Sequence, residues 1–210
     1  MSRFSQAISE GDGISVIPVL EGDVGELAAL AEEAGAEAIA VWRLSDIEAA
    51  RSRSGLPILV REVDLNLEGE LRFVSAGADA CIASFDRLSG EDTLLEDLYA
   101  RVGLDDVDCV VEVHDEEELQ ETLERLDPEI ILISERNPEK DEEALERTLD
   151  LLPEVPAGKL VISEASIVAR EQVVALERAG VDAILVGGNL LEETDFAAAL
   201  AELTGRAETA

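Results

Sequence analysis

Residues 159–191, KLVISEASIVAREQVVALERAGVDAILVGGNLL, decide the fold of this chain. The stretch holds two short apolar runs rich in β-branched residues, 160–163 and 183–186, separated by a helical pattern that ends at Ala179-Gly180. A strand, a helix and a second buried strand within about 30 residues make a βαβ unit, whose two strands pair in parallel. We therefore expect a parallel sheet.

Each of these two predicted strands ends in a chemically distinctive segment. Residues 163–166, SEAS, are small and polar and contain the carboxylate of Glu164. Residues 187–189, GGN, allow backbone N–H groups to approach an anion closely, because Gly187 and Gly188 carry no side chain. A (β/α)8 barrel keeps its phosphate site after its last two strands. The stretch therefore predicts the end of such a barrel.

Length and charge limit the possible classes of protein. The 210 residues are enough for one substantial core and somewhat few for a barrel of about 250, so we predict one barrel domain over residues 1–210 with short loops. Residues 1–12 are interpreted as a short lead-in and residues 205–210 as a flexible tail. The formal net charge of -33 opposes binding to nucleic acid and to anionic membranes.

The charged residues are strongly biased towards acids, with 49 Asp and Glu against 16 Lys and Arg, and the only lysines are Lys140 and Lys159. Such a surface is expected in a salt-rich cytoplasm, where counterions screen the repulsion among carboxylates. An ordinary acidic protein of a mesophile is the alternative. No apolar run reaches the length of a membrane helix, and the N-terminal segment MSRFSQAISEGDG has no hydrophobic signal, so we expect a cytoplasmic protein.

The hydrophobic pattern predicts eight strands, each followed by a helix. The predicted strands are residues 14–20, 38–42, 57–63, 80–85, 108–114, 130–134, 160–163 and 183–186. Asp23, Ser45 and Asp115 each precede a helical pattern, with Glu three residues later, and are predicted to cap helices. Cys81 and Cys109 lie inside apolar strand patterns and are interpreted as buried core thiols.

An internal repeat supports this count. It reads AGAEAI at 34–39, AGADAC at 76–81 and AGVDAI at 179–184. In each copy a glycine (Gly35, Gly77 or Gly180) is predicted to form a left-handed helix C-cap, and an acidic residue precedes a buried strand. Eight strand and helix pairs at a spacing of about 25 residues favour a closed (β/α)8 TIM barrel of the α/β class. The alternative is an open doubly wound sheet, whose GxGxxG signature is absent.

Function in such a barrel resides at the C-terminal ends of its strands. The polar or aromatic residues predicted there are Glu21, Trp42, Arg43, Arg61, Glu62, Asp64, Glu112, His114, Ser134, Glu135, Arg136, Asn137 and Glu164. Glu112 and His114 share strand parity, so both are predicted to face the barrel axis. A structural ion pair is the alternative role for Glu112, and a hydrogen-bonded strand-end position is the alternative for His114.

Four segments resemble successive parts of the indole-3-glycerol phosphate synthase family. They are VVEVHDEEEL at 110–119, ISERN at 133–137, SEASI at 163–167 and ILVGG at 184–188. The resemblance runs from about Gly35 to the end of the chain, is strongest after Cys109 and extends to the spacing of the segments. It implies a (β/α)8 barrel that closes the indole ring of a phosphorylated carboxyphenylamino deoxyribulose, with loss of CO2 and water, in tryptophan biosynthesis.

The resemblance implies roles for several residues. The family's catalytic glutamates on strands five and seven correspond to Glu112 and Glu164, its strand-six arginine to Arg136, and one phosphate-binding glycine to Gly187. The strand-three lysine, which is the family's general acid, corresponds to Arg61. Arginine stays protonated near neutral pH and is a poor proton donor.

Other positions depart from the family's pattern. Its strand-one Glu-x-Lys pair corresponds to Val16 and Pro18, its strand-six asparagine to Ser134, and its Ser-Gly after the strand-seven glutamate to Ala165-Ser166. The Ser-Pro-Ser loop after strand one and the N-terminal helical extension are absent from this sequence. These departures predict weak or no synthase activity.

Three functions remain open: a diverged paralogue that binds a phosphorylated small metabolite, an active synthase acting as a carbon-carbon lyase, and a non-catalytic structural or partner-binding barrel. The candidate catalytic residues are Glu112, Glu164, Arg61 and His114. The candidate phosphate-binding residues are Gly187, Gly188, Arg136 and Ser166, with a simple tight turn as the alternative for the two glycines. The sequence predicts no metal and no cofactor, and it leaves the oligomeric state open.

Overall fold

The computed structural model describes residues 2–11, 13–61, 72–88, 94–136 and 144–206. Eight parallel strands form a closed barrel in which neighbours in sequence pair and the first strand pairs with the last. In chain order the strands are β1 (Ser15–Leu20), β2 (Ile39–Val41), β3 (Ile58–Val60), β4 (Ala80–Ser84), β5 (Asp108–Val113), β6 (Ile130–Ile133), β7 (Leu160–Glu164) and β8 (Ala183–Val186). The predicted (β/α)8 TIM barrel is confirmed.

Helices cover the outside of the barrel. In the described part of the chain they are α1 (Arg3–Ser9), α2 (Val24–Glu33), α3 (Leu44–Arg51), α4 (Arg72–Ser75), α5 (Phe85–Leu88), α6 (Leu94–Val102), α7 (Glu116–Arg125), α8 (Ala144–Leu151), α9 (Arg170–Ala179), α10 (Gly188–Glu192) and α11 (Phe196–Thr204). The helices predicted after strands three, four and six span residues 67–76, 92–102 and 142–152, and their first parts, 67–71, 92–93 and 142–143, lie outside the described residues. Within those residues, no helix is both long enough and apolar enough to cross a bilayer.

Alternate residues of each strand face two separate hydrophobic layers. The inner layer fills the barrel and includes Ile17, Leu59 and Val110, all fully buried. The outer layer lies between strands and helices and includes Val16 and Ile133, which are also fully buried. The barrel is therefore a packed core, so space for a ligand has to lie at one of its ends.

The predicted lead-in contains α1, which closes the N-terminal end of the barrel. Its Phe4 and Ile8, one helical turn apart, are 0% and 2% exposed and belong to the inner hydrophobic layer. The carboxylate of Asp108, at the start of β5, accepts a hydrogen bond from the backbone N–H of Ser5 at 2.7 Å and another from the hydroxyl of Ser2. Apolar contact and hydrogen bonds thus hold α1 against the base of the barrel.

The glycines of the internal repeat have the predicted left-handed conformation. Gly35, Gly77 and Gly180 have φ angles of +92°, +93° and +103°. A side chain is strained at such angles, which is why the repeat keeps glycine there. At the other end of the chain, Gly205 caps α11 with φ +75°. Of the predicted tail, residues 207–210 lie outside the described residues.

In each repeat the acidic residue lies just before a strand. Its carboxylate accepts a hydrogen bond from a backbone N–H of the previous strand in the chain. Glu37 accepts from Val16 N–H at 3.3 Å, Asp79 from Ile58 N–H at 2.8 Å and Asp182 from Val161 N–H at 2.7 Å. The acid thus satisfies an amide at the N-terminal edge of the neighbouring strand. It stabilises the pairing of adjacent strands there.

Two of the three predicted helix caps are present. Asp23 accepts from the N–H of Glu26 at 3.3 Å, and Asp115 accepts from the N–H of Glu118 at 2.9 Å. The prediction for Ser45 is wrong, because α3 already begins at Leu44 and its N-cap position has no side-chain hydrogen bond. The Ser45 hydroxyl instead contacts the carboxylate of Asp46, within the first turn.

The two cysteines are buried free thiols, as predicted. Cys81 and Cys109 are direct register partners on β4 and β5 and belong to the outer hydrophobic layer. A hydrogen bond with Cys109, together with burial, raises the pKa of the Cys81 thiol well above its ordinary value. Cys81 therefore stays neutral at physiological pH.

Candidate active site at the mouth of the barrel

A cavity of about 410 Å³ opens at the C-terminal end of the barrel. Its polar or aromatic walls come from strand ends, because parallel strands bring their C-terminal ends to one face. Trp42, Arg61 and Ser134 immediately follow β2, β3 and β6, and Glu164 is the last residue of β7. The volume lies in the range of small-molecule sites, about 300–1,000 Å³.

Arg61 lines this cavity and contacts three other residues of its wall. Its Nη1 donates a hydrogen bond to Oε1 of Glu164 at 2.7 Å, and its Nη2 lies 3.6 Å from Oε1 of Glu112. The guanidinium also stacks on the indole of Trp42, with Cζ 4.7 Å from the ring centroid. Arginine and tryptophan favour this cation–π arrangement. Three neighbours thus fix the orientation of the guanidinium.

Glu112 is more deeply buried than Glu164. Its carboxylate accepts a hydrogen bond from the Ser134 hydroxyl at 2.9 Å and faces Arg61. The Glu112 side chain is 12% exposed and that of Glu164 is 29% exposed. The two carboxylates predicted from strands five and seven therefore share one arginine, and Glu164 is the more open of the two.

A third carboxylate at the edge of the cavity is also paired. Glu135 lines the cavity, and its carboxylate lies 3.3 Å from Nη2 of Arg147 on α8. No local sequence pattern marked Arg147, because a helix residue contributes to this site only through the packing of α8 against the strand ends. The described cavity wall therefore has three carboxylates and one arginine, and Arg147 behind it reduces the excess from two negative charges to one.

Gly187, Gly188 and Ser166, three of the predicted phosphate-binding residues, also line the cavity. Neither glycine has a positive φ. A Cβ at Gly187 would lie 3.6 Å from Cβ of Val19, an ordinary contact, and one at Gly188 would meet no atom within 4 Å. Neither a packing clash nor a positive φ therefore explains why these two positions lack side chains.

His114 and Arg136 do not line the cavity. The His114 ring Nδ1 lies 2.9 Å from Oε2 of Glu118 on α7, and the same oxygen accepts from the His114 backbone N–H at 2.8 Å. Since a carboxylate only accepts, Nδ1 carries the proton. Arg136 binds the other oxygen of Glu118 and lies 3.7 Å from Asp115. These residues form a separate rim cluster: His114, Asp115, Glu118 and Arg136.

Strand one turns Val16 away from the barrel axis. Val16 belongs to the outer hydrophobic layer, whereas Ile17 and Val19 belong to the inner layer. A group that acts at the mouth has to face the barrel axis, so Val16 does not occupy such a position.

Some sequence-based candidates cannot be placed. Glu62, Asp64, Asn137 and Lys140 lie outside the described residues. Among the residues that the structure does describe, no group of three or more His, Cys, Asp or Glu side chains is arranged to hold a metal ion.

Comparison with solved structures supports the architecture. The barrel superposes on the N-acetylmannosamine-6-phosphate 2-epimerase of Clostridium perfringens with a TM-score of 0.67 and 18% sequence identity, covering 87% of this chain and 88% of the epimerase. At that identity the similarity concerns the fold alone.

Sequence comparison identifies the family. The family model of indole-3-glycerol phosphate synthase matches residues 19–203. The synthase of Geobacillus sp. (strain WCH70) is 34% identical over 189 residues, which cover 85% of this chain and 71% of the relative. That of Priestia megaterium (strain ATCC 12872 / QMB1551) is 32% identical over 167 residues, covering 80% and 64%. With these matches and its closed barrel, the chain belongs to the indole-3-glycerol phosphate synthase family.

Proposed function

We propose that the chain is a diverged member of the family that binds a phosphorylated small metabolite at the mouth of the barrel and does not close an indole ring efficiently. The observation that carries this proposal is the position of Arg61, which lines the cavity and contacts both Glu112 and Glu164. The resemblance assigns to this position a lysine that acts as general acid.

The exchange of lysine for arginine affects proton donation. A positioned general acid contributes about 10²- to 10⁴-fold to a rate, or roughly 3–5 kcal/mol of barrier. Arginine stays protonated in proteins and releases a proton poorly. Ring closure loses water, and Arg61 is a poor donor to the departing oxygen. The apolar Ile17 and Val19 on β1 supply no replacement.

A phosphorylated ligand is supported by three small residues that line the cavity. Gly187 and Gly188 leave their backbone open to the cavity without a packing reason, and Ser166 lines it as well. Arg61, which pairs with Glu112 and Glu164, is the cation among the described lining residues, whereas Arg136, expected in this role, does not line the cavity. Arg136 is instead engaged by the acidic side chains of the rim cluster.

Two assays test this proposal. Purified protein in molar KCl, supplied with the phosphorylated carboxyphenylamino deoxyribulose, is expected to produce no indole fluorescence above background, and Arg61→Lys alone is not expected to restore it. Inorganic phosphate at millimolar concentration is expected to bind in calorimetry and to raise the melting temperature. A turnover of about 1 per second, ordinary for enzymes, would contradict the loss of synthase activity.

Active indole-3-glycerol phosphate synthase is the second candidate, and the names of the relatives favour it. Under this alternative, a group outside the described residues replaces the general acid, and the fluorescence assay is positive. A non-catalytic structural or partner-binding barrel is the third candidate. It predicts neither indole formation nor phosphate binding, so the two assays together separate all three.

We also propose that the protein works in a salt-rich cytoplasm. The net charge of -33 implies strong self-repulsion, which salt screens over about 3 Å at 1 M and about 10 Å at 0.1 M. The melting temperature is therefore expected to fall when molar KCl is dialysed to 0.1 M. An unchanged melting temperature would favour an ordinary acidic protein.

A further inference from the structure

We propose that Arg61 and Glu164 catalyse proton transfer at a carbon next to a carbonyl group of the bound ligand, so that the reaction class is isomerisation or epimerisation of a phosphorylated hydroxy ketone or aldehyde. This inference rests on the proposed function, because it needs a phosphorylated ligand in the mouth cavity. It goes further by naming the bond that is broken and the residue that breaks it.

The first argument is the set of chemical groups in the cavity wall. Among the described residues that line it, the ionisable side chains are three glutamates and one arginine. Expulsion of water needs a proton donor, which this set supplies poorly. Abstraction of a proton beside a carbonyl needs a carboxylate base and a fixed positive charge for the oxygen that becomes an anion. Both are present.

The second argument is the distance between base and cation. The carbon that loses the proton and the carbonyl carbon are bonded to each other, so the two protein groups have to be near neighbours. Nη1 of Arg61 and Oε1 of Glu164 are 2.7 Å apart, so their positions suit adjacent groups of one ligand. Arg61 also keeps Glu112 and Trp42 as partners, which hold the guanidinium while Glu164 moves to the ligand.

The third argument distinguishes Glu164 from Glu112 as the base. A base has to reach the ligand, and the Glu164 side chain is more than twice as exposed as that of Glu112. Glu112 is held from behind by the Ser134 hydroxyl. We therefore assign Glu112 to the positioning of Arg61.

The reaction balances without a cofactor. The Glu164 carboxylate takes the proton from the carbon, the C–H electron pair forms a carbon–carbon double bond, and the carbonyl electron pair moves to oxygen beside Arg61. For isomerisation, the hydroxyl proton of the enediolate moves to the former carbonyl oxygen, the other oxygen forms the new carbonyl, and Glu164 returns its proton to the neighbouring carbon. For epimerisation, the original carbonyl re-forms while solvent delivers a proton to the original carbon from the other face, and Glu164 releases its own proton to solvent. The apolar side chains of Leu185 and Ile167 line the cavity and strengthen the interaction of the oxygen with Arg61.

The experiment measures exchange of carbon-bound hydrogen with solvent. The full chain in molar KCl prepared in D2O is incubated with dihydroxyacetone phosphate, ribulose 5-phosphate or fructose 6-phosphate, and deuterium at the carbon next to the carbonyl is followed by NMR. Binding of the same compounds is measured separately, as a rise in melting temperature. At least one compound is expected to bind and to exchange faster than in buffer alone.

Two variants, each of which removes one negative charge, identify the base. Glu164→Gln is expected to lower the exchange rate by about 10²-fold or more while the ligand-induced rise in melting temperature persists. Glu121→Gln is the matched control, because Glu121 is a half-exposed residue of α7 that pairs with Arg125, outside the mouth. Its exchange rate is expected to equal that of the unmodified protein.

The outcomes separate this inference from the function on which it rests. If a phosphorylated compound binds but its hydrogen does not exchange, or if Glu164→Gln exchanges as fast as Glu121→Gln, the assignment of Glu164 is overturned and ligand binding stands. If none of the phosphorylated compounds and no inorganic phosphate bind, the proposed function fails and this inference fails with it.

Discussion

At the N-terminal end of the barrel, the carboxylates of Asp79 and Asp182 accept hydrogen bonds from backbone amides of neighbouring strands. At the C-terminal end, Glu112 and Glu164 face Arg61 across a cavity. Acidic side chains at the first end satisfy the backbone and hold the strands, whereas those at the second end interact with other side chains around open space. The first arrangement stabilises the fold, and the second leaves groups available for a ligand.

The two ends of the barrel also differ in how completely side chains fill them. The N-terminal end is filled by Phe4 and Ile8 of α1, which are almost completely buried. The C-terminal end keeps a cavity of about 410 Å³ with Trp42 40% exposed at its wall. Stability and function are therefore located at opposite ends, and substitutions at the two ends are expected to have different consequences.

Removal of the Phe4 ring is expected to have the largest effect. Phe4→Ala leaves a cavity in the inner hydrophobic layer, and such substitutions cost about 3–5 kcal/mol of the free energy of unfolding. Denaturant unfolding in molar KCl measures the change. Leu104→Ala is the control, because Leu104 is 85% exposed, and its effect is expected within about 0.5 kcal/mol. Equal effects of the two variants would show that α1 does not close the barrel in solution.

An intermediate effect is expected for Asp79→Ala. This variant leaves the amide of the buried Ile58 without its side-chain acceptor and removes the ion-pair partner of Arg51, which together cost about 1–3 kcal/mol. At the mouth, Glu164→Ala is expected to cost less than Asp79→Ala, because Arg61 keeps Glu112 and Trp42 as partners. The comparison of the two ends would be refuted if Glu164→Ala were the more destabilising variant in the same unfolding experiment.

The smallest effect is a pH dependence at the N-terminal end. Burial raises the pKa of the Asp182 carboxyl, against the hydrogen bond from Val161 that lowers it. The folded state therefore holds this proton more tightly than the unfolded state, so the group's contribution to stability is complete at low pH and is lost as the pH rises through the raised pKa. An asparagine at this position does not ionise, so its contribution to stability does not fall as the pH rises.

The stability of Asp182→Asn relative to the unmodified protein is therefore expected to increase as the pH rises from acid to neutral. Glu37→Gln should behave in the same direction, because burial also raises the pKa of Glu37. Melting temperatures across this pH range measure both variants. A relative stability that falls with rising pH would mean that the backbone hydrogen bond, and not burial, dominates at this position.

Most of the barrel was predictable from local patterns. The strands are short buried runs of β-branched residues, and the repeat places glycine and an acidic residue at fixed positions before three of them. The number, order and direction of the strands therefore follow from the sequence. Strand ends were predicted to within one residue, except that β3 ends at Val60 and not at residue 63. The role of α1 was missed, because seven residues with two apolar side chains do not reveal what they pack against.

The site was predictable where the alternation of residues along a strand determines which way a side chain points. Glu112 and Glu164 line the cavity as expected, with Arg61 between them. His114 shares the parity of Glu112, but β5 ends at Val113, so strand alternation no longer determines where the His114 ring points. Arg136 is oriented by Glu118, a partner 18 residues away on another element. Long side chains beyond strand ends depend on such tertiary contacts, which no local pattern encodes.

The acid-to-amide hydrogen bonds of the repeat also bear on the order of folding. Glu37, Asp79 and Asp182 each bond an amide 21 residues earlier in the chain. Contacts between residues this close in the chain cost little loop-closure entropy, and they are therefore expected to form early. The pairing of Ser15 with Ala183, in contrast, joins the two ends of the chain. Closure of the ring is thus the late, slow step of assembly, and the seam between β1 and β8 is where a partly folded chain is open to aggregation.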